Sequence, residues 1–318
     1  MHCNSIFMRF VLLAWCASVS MGASAEKACI GVVPAGGGYA FWGEVGRGAR
    51  QAGLELGLDI YFRGPSDENN PDAQKEILAV IAQKRCSALV LAPNVPERAK
   101  EVAQLRLNGV PTVYIDRSFG GSEAAAIVAT DNYLAGGVAG REMARILGKH
   151  GRVVVFRMKR GVTSTDDRER GFMAAVKAAG LSVVLDEWIG SNVGEARTRS
   201  ESALERLKQP FDGIFTPNES TTLATLSSLQ KAGLAGKVRL IGFDMSKAFI
   251  DALNKDHLYG VVVQRPYQMG YLGVRIAYAA ASGKAPEQNV IDPGIFFVTR
   301  STLNSPGFAQ DLEPFLKP

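Results

Sequence analysis

The sequence predicts an α/β protein with two similar, doubly wound parallel-sheet lobes that are joined by a hinge of three strands. Strand-like and helix-like segments alternate from Ala28 to about Arg300, which is typical of βαβ units on a parallel sheet. The length of 318 residues exceeds the size that one hydrophobic core usually serves, and the two halves carry similar motifs. Two lobes are therefore the expected organisation.

The start of the chain predicts an export signal. Arg9 precedes an apolar run over 10–19 that is too short to span a bilayer, and Ala23-Ser24-Ala25 supplies small residues for cleavage. The alternative is a lipoprotein leader ending in Leu13-Ala14-Trp15-Cys16, but bulky Trp15 stands where such leaders need a small residue. We expect a soluble exported protein that begins at Glu26.

Eleven segments have the composition and length of strands. They cover 28–33, 58–63, 87–92, 111–116, 126–130, 152–158, 181–186, 212–217, 239–244, 259–264 and 295–300. Between the first two segments, apolar residues recur at spacings of three and four from Trp42 to Leu56, which predicts an amphipathic helix packed on the sheet. The first and third strands should be neighbours in a sheet of order 2-1-3.

A faint duplication supports two lobes. Each half runs strand-Pro-Asn, helix, strand-Asp, ending at Asn94 and Asp116 in the first half and at Asn218 and Asp244 in the second. No Gly/Ser-rich or Pro-rich linker separates the halves, so short joints at 130–132, 264–266 and 292–294 form the expected hinge. The predicted lobes are 26–130 with 265–293, and 131–264 with 294–318.

Cysteine and histidine usage argues against a metal site. After cleavage the cysteines are Cys29 and Cys86, which open the first and third predicted strands; a disulfide and two buried free thiols both remain open. His150 and His257 are far apart in sequence, so no metal and no cofactor is expected. The remaining excess of four basic residues is dispersed, which argues against a nucleic-acid partner.

The glycine-rich stretch Gly36-Gly37-Gly38 follows the first strand but does not predict a dinucleotide site. The G-x-G-x-x-G spacing places Phe41 where a small residue is needed, and the second strand ends in Phe62-Arg63 without the acid that binds ribose. We interpret the stretch as a flexible loop that leads to the ligand.

Aromatic and polar residues at the predicted strand ends indicate a site for a small polar ligand. Phe41 and Trp42, with Tyr39 beside them, offer flat faces for a sugar ring, although Trp42 alternatively begins the core face of its helix. Because the strand ends of open parallel sheets converge on one crevice, six polar side chains should surround the ligand. They are Asp116, Arg117, Arg168, Asn218, Asp244 and Gln264.

Two positions within this set have alternatives. Arg168 and Arg170 compete for one role, and Arg168 is favoured because it lies four residues before Phe172 on the core-facing side. Asp244 alternatively caps the helix that begins near Ser246.

Catalysis is not expected from this set of residues. The chain has no G-x-S-x-G elbow and no serine or cysteine with an apparent histidine partner. Asp116 and Asp244 resemble a glycosidase pair, but neighbouring arginines should keep both ionised and leave no proton donor.

The order and spacing of several motifs resemble the ribose-binding-protein-like group of periplasmic sugar-binding proteins of ABC importers, which shares its type I fold with the ligand domains of LacI-type repressors. The motifs are FWGEVGRGA, VPTVYIDR, VATDN, TSTDDRERGF, TPNESTTLATLSSLQKAGL, IGFD and VVVQRPYQMGYLGV. The resemblance implies that the eight aromatic and polar residues bind a monosaccharide by hinge closure. It implies a monomer in the periplasm whose partner is a membrane permease, or alternatively a chemoreceptor or histidine kinase. Ribose binders carry an Asn-rich first loop in place of Gly36-Gly37-Gly38-Tyr39, so pentose and hexose both remain open.

Overall fold

A computed structural model describes residues 28–120 and 122–316, and the predicted export signal lies outside this range. The strands are β1 (Cys29–Val33), β2 (Asp59–Phe62), β3 (Ala88–Leu91), β4 (Thr112–Ile115), β5 (Ala126–Val128), β6 (Arg152–Arg157), β7 (Ser182–Trp188), β8 (Gly213–Phe215), β9 (Arg239–Phe243), β10 (Gly260–Val263), β11 (Val290–Ile291) and β12 (Phe296–Thr299). The helices are α1 (Ala40–Leu56), α2 (Pro71–Gln83), α3 (Arg98–Leu107), α4 (Asn132–Leu147), α5 (Thr163–Ala178), α6 (Val193–Arg206), α7 (Glu219–Lys231), α8 (Lys247–Asn254), α9 (Pro266–Ala281) and α10 (Ala309–Leu316).

The strands form two six-stranded sheets, which confirms the predicted fold class. Their orders are β11-β5-β4-β3-β1-β2 and β12-β10-β9-β8-β6-β7, so the first and third strands are neighbours as predicted. A separate hydrophobic cluster covers each face of each sheet, because nearly continuous apolar strands expose side chains to both faces. The carboxyl ends of the parallel strands in the two sheets face one cleft.

The structure differs from the predicted strands at the end of the chain. The two-residue strand β11 was not predicted, because Val290–Ile291 is too short to give a periodic signal. β12 pairs antiparallel with β10, whereas the other described pairs are parallel. After β11 the chain enters the second sheet from its carboxyl edge, so the strand that follows must run in the opposite direction.

The chain passes between the sheets three times, after β5, after β10 and after β11. Helix α9 then packs on α1 and on the first sheet, while α4 packs on α5 and on the second sheet. We propose that the lobe boundaries lie at these crossings, which gives 26–130 with 265–293 and 131–264 with 294–318.

A disulfide joins Cys29 and Cys86, whose Cα atoms are 4.4 Å apart. The backbone N–H of Ser87 donates to the carbonyl oxygen of Cys29 over 2.8 Å, so the bridge links neighbouring strand starts in the first sheet. Of the two possibilities that the sequence left open, the structure therefore contains the disulfide and not two free thiols. A cross-link that spans 57 residues stabilises the fold by about 4 kcal/mol in the chain-entropy model.

In each lobe, one pair of helices packs backbone to backbone through reciprocal glycines. The pairs are Gly48 of α1 with Gly270 of α9, and Gly136 of α4 with Gly171 of α5. A Cβ atom at any of these glycines would lie 1.9 to 2.0 Å from a carbonyl oxygen of the partner helix. For Gly136 that oxygen belongs to Arg168, so this contact also sets the position of a predicted ligand-binding residue.

We expect Gly136→Ala to lower the free energy of unfolding by about 1–3 kcal/mol, because α4 and α5 must separate to admit the methyl group. Gly43→Ala is the matched control, since Gly43 is also helical and an added Cβ would have no neighbour within 4 Å. That control should stabilise the protein by about 0.5–1 kcal/mol. Thermal unfolding followed by circular dichroism measures both changes, and equal effects of the two substitutions would contradict the packing argument.

Candidate functional site

A partly open cavity of about 40 Å³ lies between the lobes, and all eight predicted residues line it. Phe41, Trp42, Asp116 and Arg117 come from the first lobe, and Arg168, Asn218, Asp244 and Gln264 from the second lobe and its joint. Tyr39, from the predicted aromatic cluster, lines the cavity as well. Five further lining residues were not selected from the sequence: Glu68, Ser164, Thr165, Glu219 and Ser220.

The aromatic wall comes from the first turn of α1. Phe41 and Trp42 meet edge to face with ring centroids 4.8 Å apart, and they are only 7% and 5% exposed. Both also belong to the hydrophobic cluster between α1 and the first sheet. The two interpretations of Trp42 are therefore compatible, since one ring serves as core and as cavity wall.

Asp116 and Asp244 occupy equivalent positions in the two lobes. Each directly follows its strand, β4 or β9, in a left-handed backbone conformation, with φ values of 65° and 71°. Their backbone N–H groups donate to the carbonyl oxygens of Val128, the last residue of β5, and Val262, the last but one of β10. Asp tolerates this conformation better than most residues, at a cost of about 1 kcal/mol. The sequence duplication thus reflects a repeated turn that places a carboxylate at the strand end.

Arg117 lies between two carboxylates. Its Nε donates to Oδ2 of Asp116 over 2.7 Å, and its Nη2 lies 3.6 Å from Oε2 of Glu68. Burial lowers the pKa of Arg117, but Asp116 and Glu68 together raise it above the usual value. The guanidinium therefore remains charged in the closed cavity.

Arg168 is 2% exposed and is held on two sides. Its Nε donates to Oδ1 of Asn132 over 2.8 Å, and its Nη1 donates to the carbonyl oxygen of Pro217 over 2.9 Å. The remaining atom, Nη2, is buried and has no hydrogen-bond partner. Arg170 instead pairs with Asp167 at the surface, as the spacing to the core-facing residues predicts. An unpaired buried donor in a cavity wall is available to an acceptor from water or from a ligand.

Asp244 does not cap α8, whose N-cap is Ser246. Its Oδ2 accepts from the backbone N–H of Glu219 over 3.0 Å, and its Oδ1 accepts from Nε2 of Gln264 over 2.7 Å. The Oγ1 of Thr130 donates to Oε1 of Gln264 over 3.0 Å, which links two of the three crossings. The capping alternative is thus wrong for α8, and Asp244 satisfies the first N–H of α7 instead.

The sequence predicted that nearby arginines keep Asp244 ionised, but burial acts on its pKa in the opposite direction. Burial raises the pKa of Asp244, and the nearby charge of Arg168 and the hydrogen bond from Gln264 lower it less than burial raises it. The sequence did not predict the raised pKa of Asp244, because neighbouring charges can be counted in a sequence but the loss of water on burial cannot.

Asn218 is a helix cap as well as part of the cavity wall. Its Oδ1 accepts from the backbone N–H of Thr221 over 3.2 Å and from that residue's Oγ1 over 2.6 Å. Its Nδ2 donates to Oγ of Ser220 over 3.0 Å. These contacts fix the amide and present α7 end-on to the cavity.

Glu219 forms hydrogen bonds across the cleft to the other lobe. Its two carboxylate oxygens accept from the backbone N–H groups of Ala40 and Phe41, each over 3.3 Å, at the start of α1 in the other lobe. Burial and then the negative charge of Asp244 raise the pKa of Glu219 to about 7. One sequence signal was available, because Tyr39 stands where a Ser, Thr, Asp or Asn cap is usual, so α1 needs an acceptor from elsewhere.

Further hydrogen bonds cross the cleft at its rim. Thr163 Oγ1 donates to the carbonyl oxygen of Ser118 over 2.9 Å, and Asn69 Nδ2 donates to Oγ of Ser191 over 2.6 Å. Lys159 Nζ donates to Oδ1 of Asn69 over 2.9 Å. With Glu219, these bonds define a closed arrangement of the two lobes.

A second cavity of about 180 Å³ adjoins the first and shares Phe41, Asp244 and Gln264 with it. Helix α10 forms part of its wall through Glu313 and Phe315. The same helix packs on α8, so the C-terminal segment, whose role the sequence did not reveal, borders the binding region.

Among 28–120 and 122–316, no three His, Cys, Asp or Glu side chains are grouped as metal ligands. No helix within those ranges has the length and apolar character of a membrane span.

Comparisons with known proteins agree with this architecture. A family model described as periplasmic binding protein domain matches residues 30–285. The ribose import binding protein of Escherichia coli is 24% identical over 241 residues, covering 74% of this chain and 79% of that protein. A sugar-transport periplasmic component from Hahella chejuensis superimposes with a TM-score of 0.81 at 31% identity, covering 85% of this chain and 99% of that one. A solute-binding protein from Agrobacterium vitis, solved with α-D-tagatopyranose, superimposes with a TM-score of 0.83 at 26% identity, covering 89% of this chain and 98% of that one.

Proposed function

Because the chain belongs to the periplasmic binding protein family, we propose that it binds a monosaccharide between its lobes and delivers it to the permease of an ABC importer. We further propose that it is exported to the periplasm, is cleaved after Ala25 and acts as a monomer. The single observation that carries the proposal is the cavity lined by paired aromatic rings and fixed polar groups from both lobes. Two similar proteins support the sugar class, namely the sugar-transport component from Hahella chejuensis and the Agrobacterium vitis protein solved with α-D-tagatopyranose.

The proposed binding mode uses both kinds of wall. Phe41 and Trp42 pack against the C–H face of the sugar ring, while carboxylates, guanidiniums and amides bond its hydroxyls. The unpaired Nη2 of Arg168 donates to one of the sugar oxygens. The ligand leaves chemically unchanged, because the site supplies recognition from all sides and no activated nucleophile.

Closure is the proposed mechanism. Asp116 and Arg117 lie in the first lobe, and Arg168 and Asp244 lie in the second, so only the closed form satisfies a ligand on both sides. A sugar therefore shifts the population toward the closed form, which the membrane partner recognises.

A thermal-shift screen tests the function. The protein without its predicted export signal is measured against pentoses, hexoses and polyols, with amino acids and nucleotides as controls. A ligand at about 1,000 times its dissociation constant adds about 4 kcal/mol of stability, which raises the melting temperature by several degrees. A response to one monosaccharide is expected; silence from every sugar with a response to an amino acid or nucleotide would overturn the proposal.

Asp244→Asn should weaken binding of the responding sugar by about 10- to 100-fold, because it removes a charge-assisted acceptor from the cavity. Asparagine is chosen over alanine because position 244 has a left-handed backbone that asparagine tolerates. Asp167→Asn, at an exposed ion pair of the same lobe, is the control and should leave affinity unchanged. Titration calorimetry measures both variants, and equal affinities would remove Asp244 from the site.

Affinity should also rise as the pH falls from about 8 to about 6, by up to about tenfold. Closure moves Glu219 from water, where its pKa is near 4.5, to a buried position where its pKa is about 7. The closed form therefore binds an additional proton on Glu219. The stability that this proton gives the closed form relative to the open form is fully present below the lower pKa and is lost as the pH rises through the higher pKa. Calorimetry in buffers of different ionisation enthalpy measures the proton uptake.

Glu219→Gln separates this effect from other titrations. Glutamine keeps an oxygen that accepts from the start of α1 but does not titrate, so for a responding sugar that does not itself titrate the pH dependence centred near 7 should disappear. Glu169 also has a pKa of about 7, raised by burial, but its partners Arg157 and Met158 lie in the same lobe, so closure leaves it unchanged. An affinity that falls with decreasing pH would contradict the assignment to Glu219.

A further inference from the structure

Glu68 is the cavity carboxylate whose position is determined by the glycine-rich stretch. It lies in the loop between β2 and α2, and a Cβ on Gly36 would come within 3.1 Å of its Cβ atom. A Cβ on Gly37 would come within 3.2 Å of the carbonyl oxygen of Pro65 in the same loop. The glycines therefore let the two loops pack closely at the cleft. This packing accounts for a motif that the dinucleotide interpretation could not explain.

Closure of the lobes holds this loop in place. Asn69, the next residue, donates to Ser191 and accepts from Lys159, and both partners belong to the opposite lobe. The carboxylate of Glu68 is thereby held in the cavity wall with 13% of its side chain exposed.

No described residue donates a hydrogen bond to the carboxylate of Glu68. Its nearest cation is Arg117 at 3.6 Å, and that guanidinium already donates to Asp116 over 2.7 Å. Lys159 also attracts it, but Lys159 is exposed, so water screens that charge, while Asp67 and Asp116 repel it. Burial raises the pKa of Glu68 more than the two cations lower it.

The other cavity carboxylates each have a compensating partner. Asp116 is bonded to Arg117, and Asp244 accepts from a side-chain amide and a backbone N–H while lying near Arg168. Glu219 accepts from two N–H groups at the positive end of α1. The four carboxylates exceed the two guanidiniums of the cavity wall, and Glu68 is the one without its own donor.

We propose that Glu68 selects a sugar that carries an ammonium group, so that the substrate class is an amino sugar. This inference rests on the proposed monosaccharide function and narrows it. A hydroxyl would give Glu68 a hydrogen bond without cancelling its charge, whereas an ammonium group supplies both the donors and the opposite charge. A buried ion pair of this kind discriminates strongly, because the neutral sugar leaves the carboxylate with only the Arg117 guanidinium, which is 3.6 Å away and already donates to Asp116, as a counter-charge.

Matched pairs of sugars test this inference. Calorimetry at about pH 6.5, where the amino group is protonated, compares glucosamine with glucose, galactosamine with galactose and mannosamine with mannose. The N-acetyl derivative of each amino sugar is included because it keeps the nitrogen and removes the charge. We expect one amino sugar to bind at least about tenfold more tightly than both its parent hexose and its N-acetyl form.

Glu68→Gln should reduce this preference to about onefold, because it weakens binding of the amino sugar and leaves binding of the neutral sugars unchanged. Glu76→Gln, the same change at an exposed position of the following helix, is the control and should preserve the preference. Binding of a neutral sugar that equals or exceeds that of its amino counterpart would overturn the inference and leave the proposed function intact. An amino-sugar preference that survives Glu68→Gln would overturn the role of Glu68, and the absence of binding to any sugar would overturn the proposed function itself.

Discussion

The structure depends on one constraint, which is that closing the cleft removes charged side chains from water. A charge transferred to a low-dielectric site costs several kcal/mol unless partners compensate it. In this protein the partners come from three sources: a neighbouring guanidinium for Asp116, side-chain and backbone donors for Asp244, and a helix terminus of the other lobe for Glu219. The third source exists only in the closed form, so charge compensation and lobe closure are one process.

Backbone geometry makes this compensation reproducible in both lobes. The left-handed residues Asp116 and Asp244 turn their carboxylates toward the cleft at equivalent strand ends. The reciprocal glycines bring α1 against α9 and α4 against α5, and the second contact fixes the backbone of Arg168. A weak sequence duplication therefore corresponds to a strong structural one, because the repeat resides in backbone conformation and close packing and not in long stretches of identical residues.

The sequence predicted that β1 lies beside β3 and it predicted the eight residues that line the cavity, because both follow from local rules. A polar residue directly after an apolar strand must lie at the carboxyl edge of a parallel sheet, as Asp116 and Asp244 do. Glu68 and Glu219 were missed for opposite reasons. Glu68 lies in a loop well beyond the end of β2, where no periodic pattern indicates which way a side chain points. Glu219 lies in the first turn of α7, where acidic residues are common because they stabilise the helix N-terminus, so its sequence position did not suggest a second role. Strand β12 was predicted at 295–300, but its antiparallel direction was not, because strand direction depends on which edge of the sheet the chain enters.

The closed form has favourable contacts of its own, and this affects what a ligand must contribute. Glu219 satisfies the start of α1, and rim bonds such as those of Thr163 and Asn69 join the lobes without any ligand. A ligand shifts the equilibrium only by its differential affinity for the two forms, so contacts already present in the closed form lower the affinity needed for full closure. Burial of the ionised Glu219 is compensated only in part, as its raised pKa shows, and two further cavity groups oppose closure, namely the unpaired Nη2 of Arg168 and the undercompensated carboxylate of Glu68. A ligand that supplies an acceptor to the first and a positive donor to the second would remove both penalties, and we therefore propose that specificity resides in the groups that closure leaves unsatisfied.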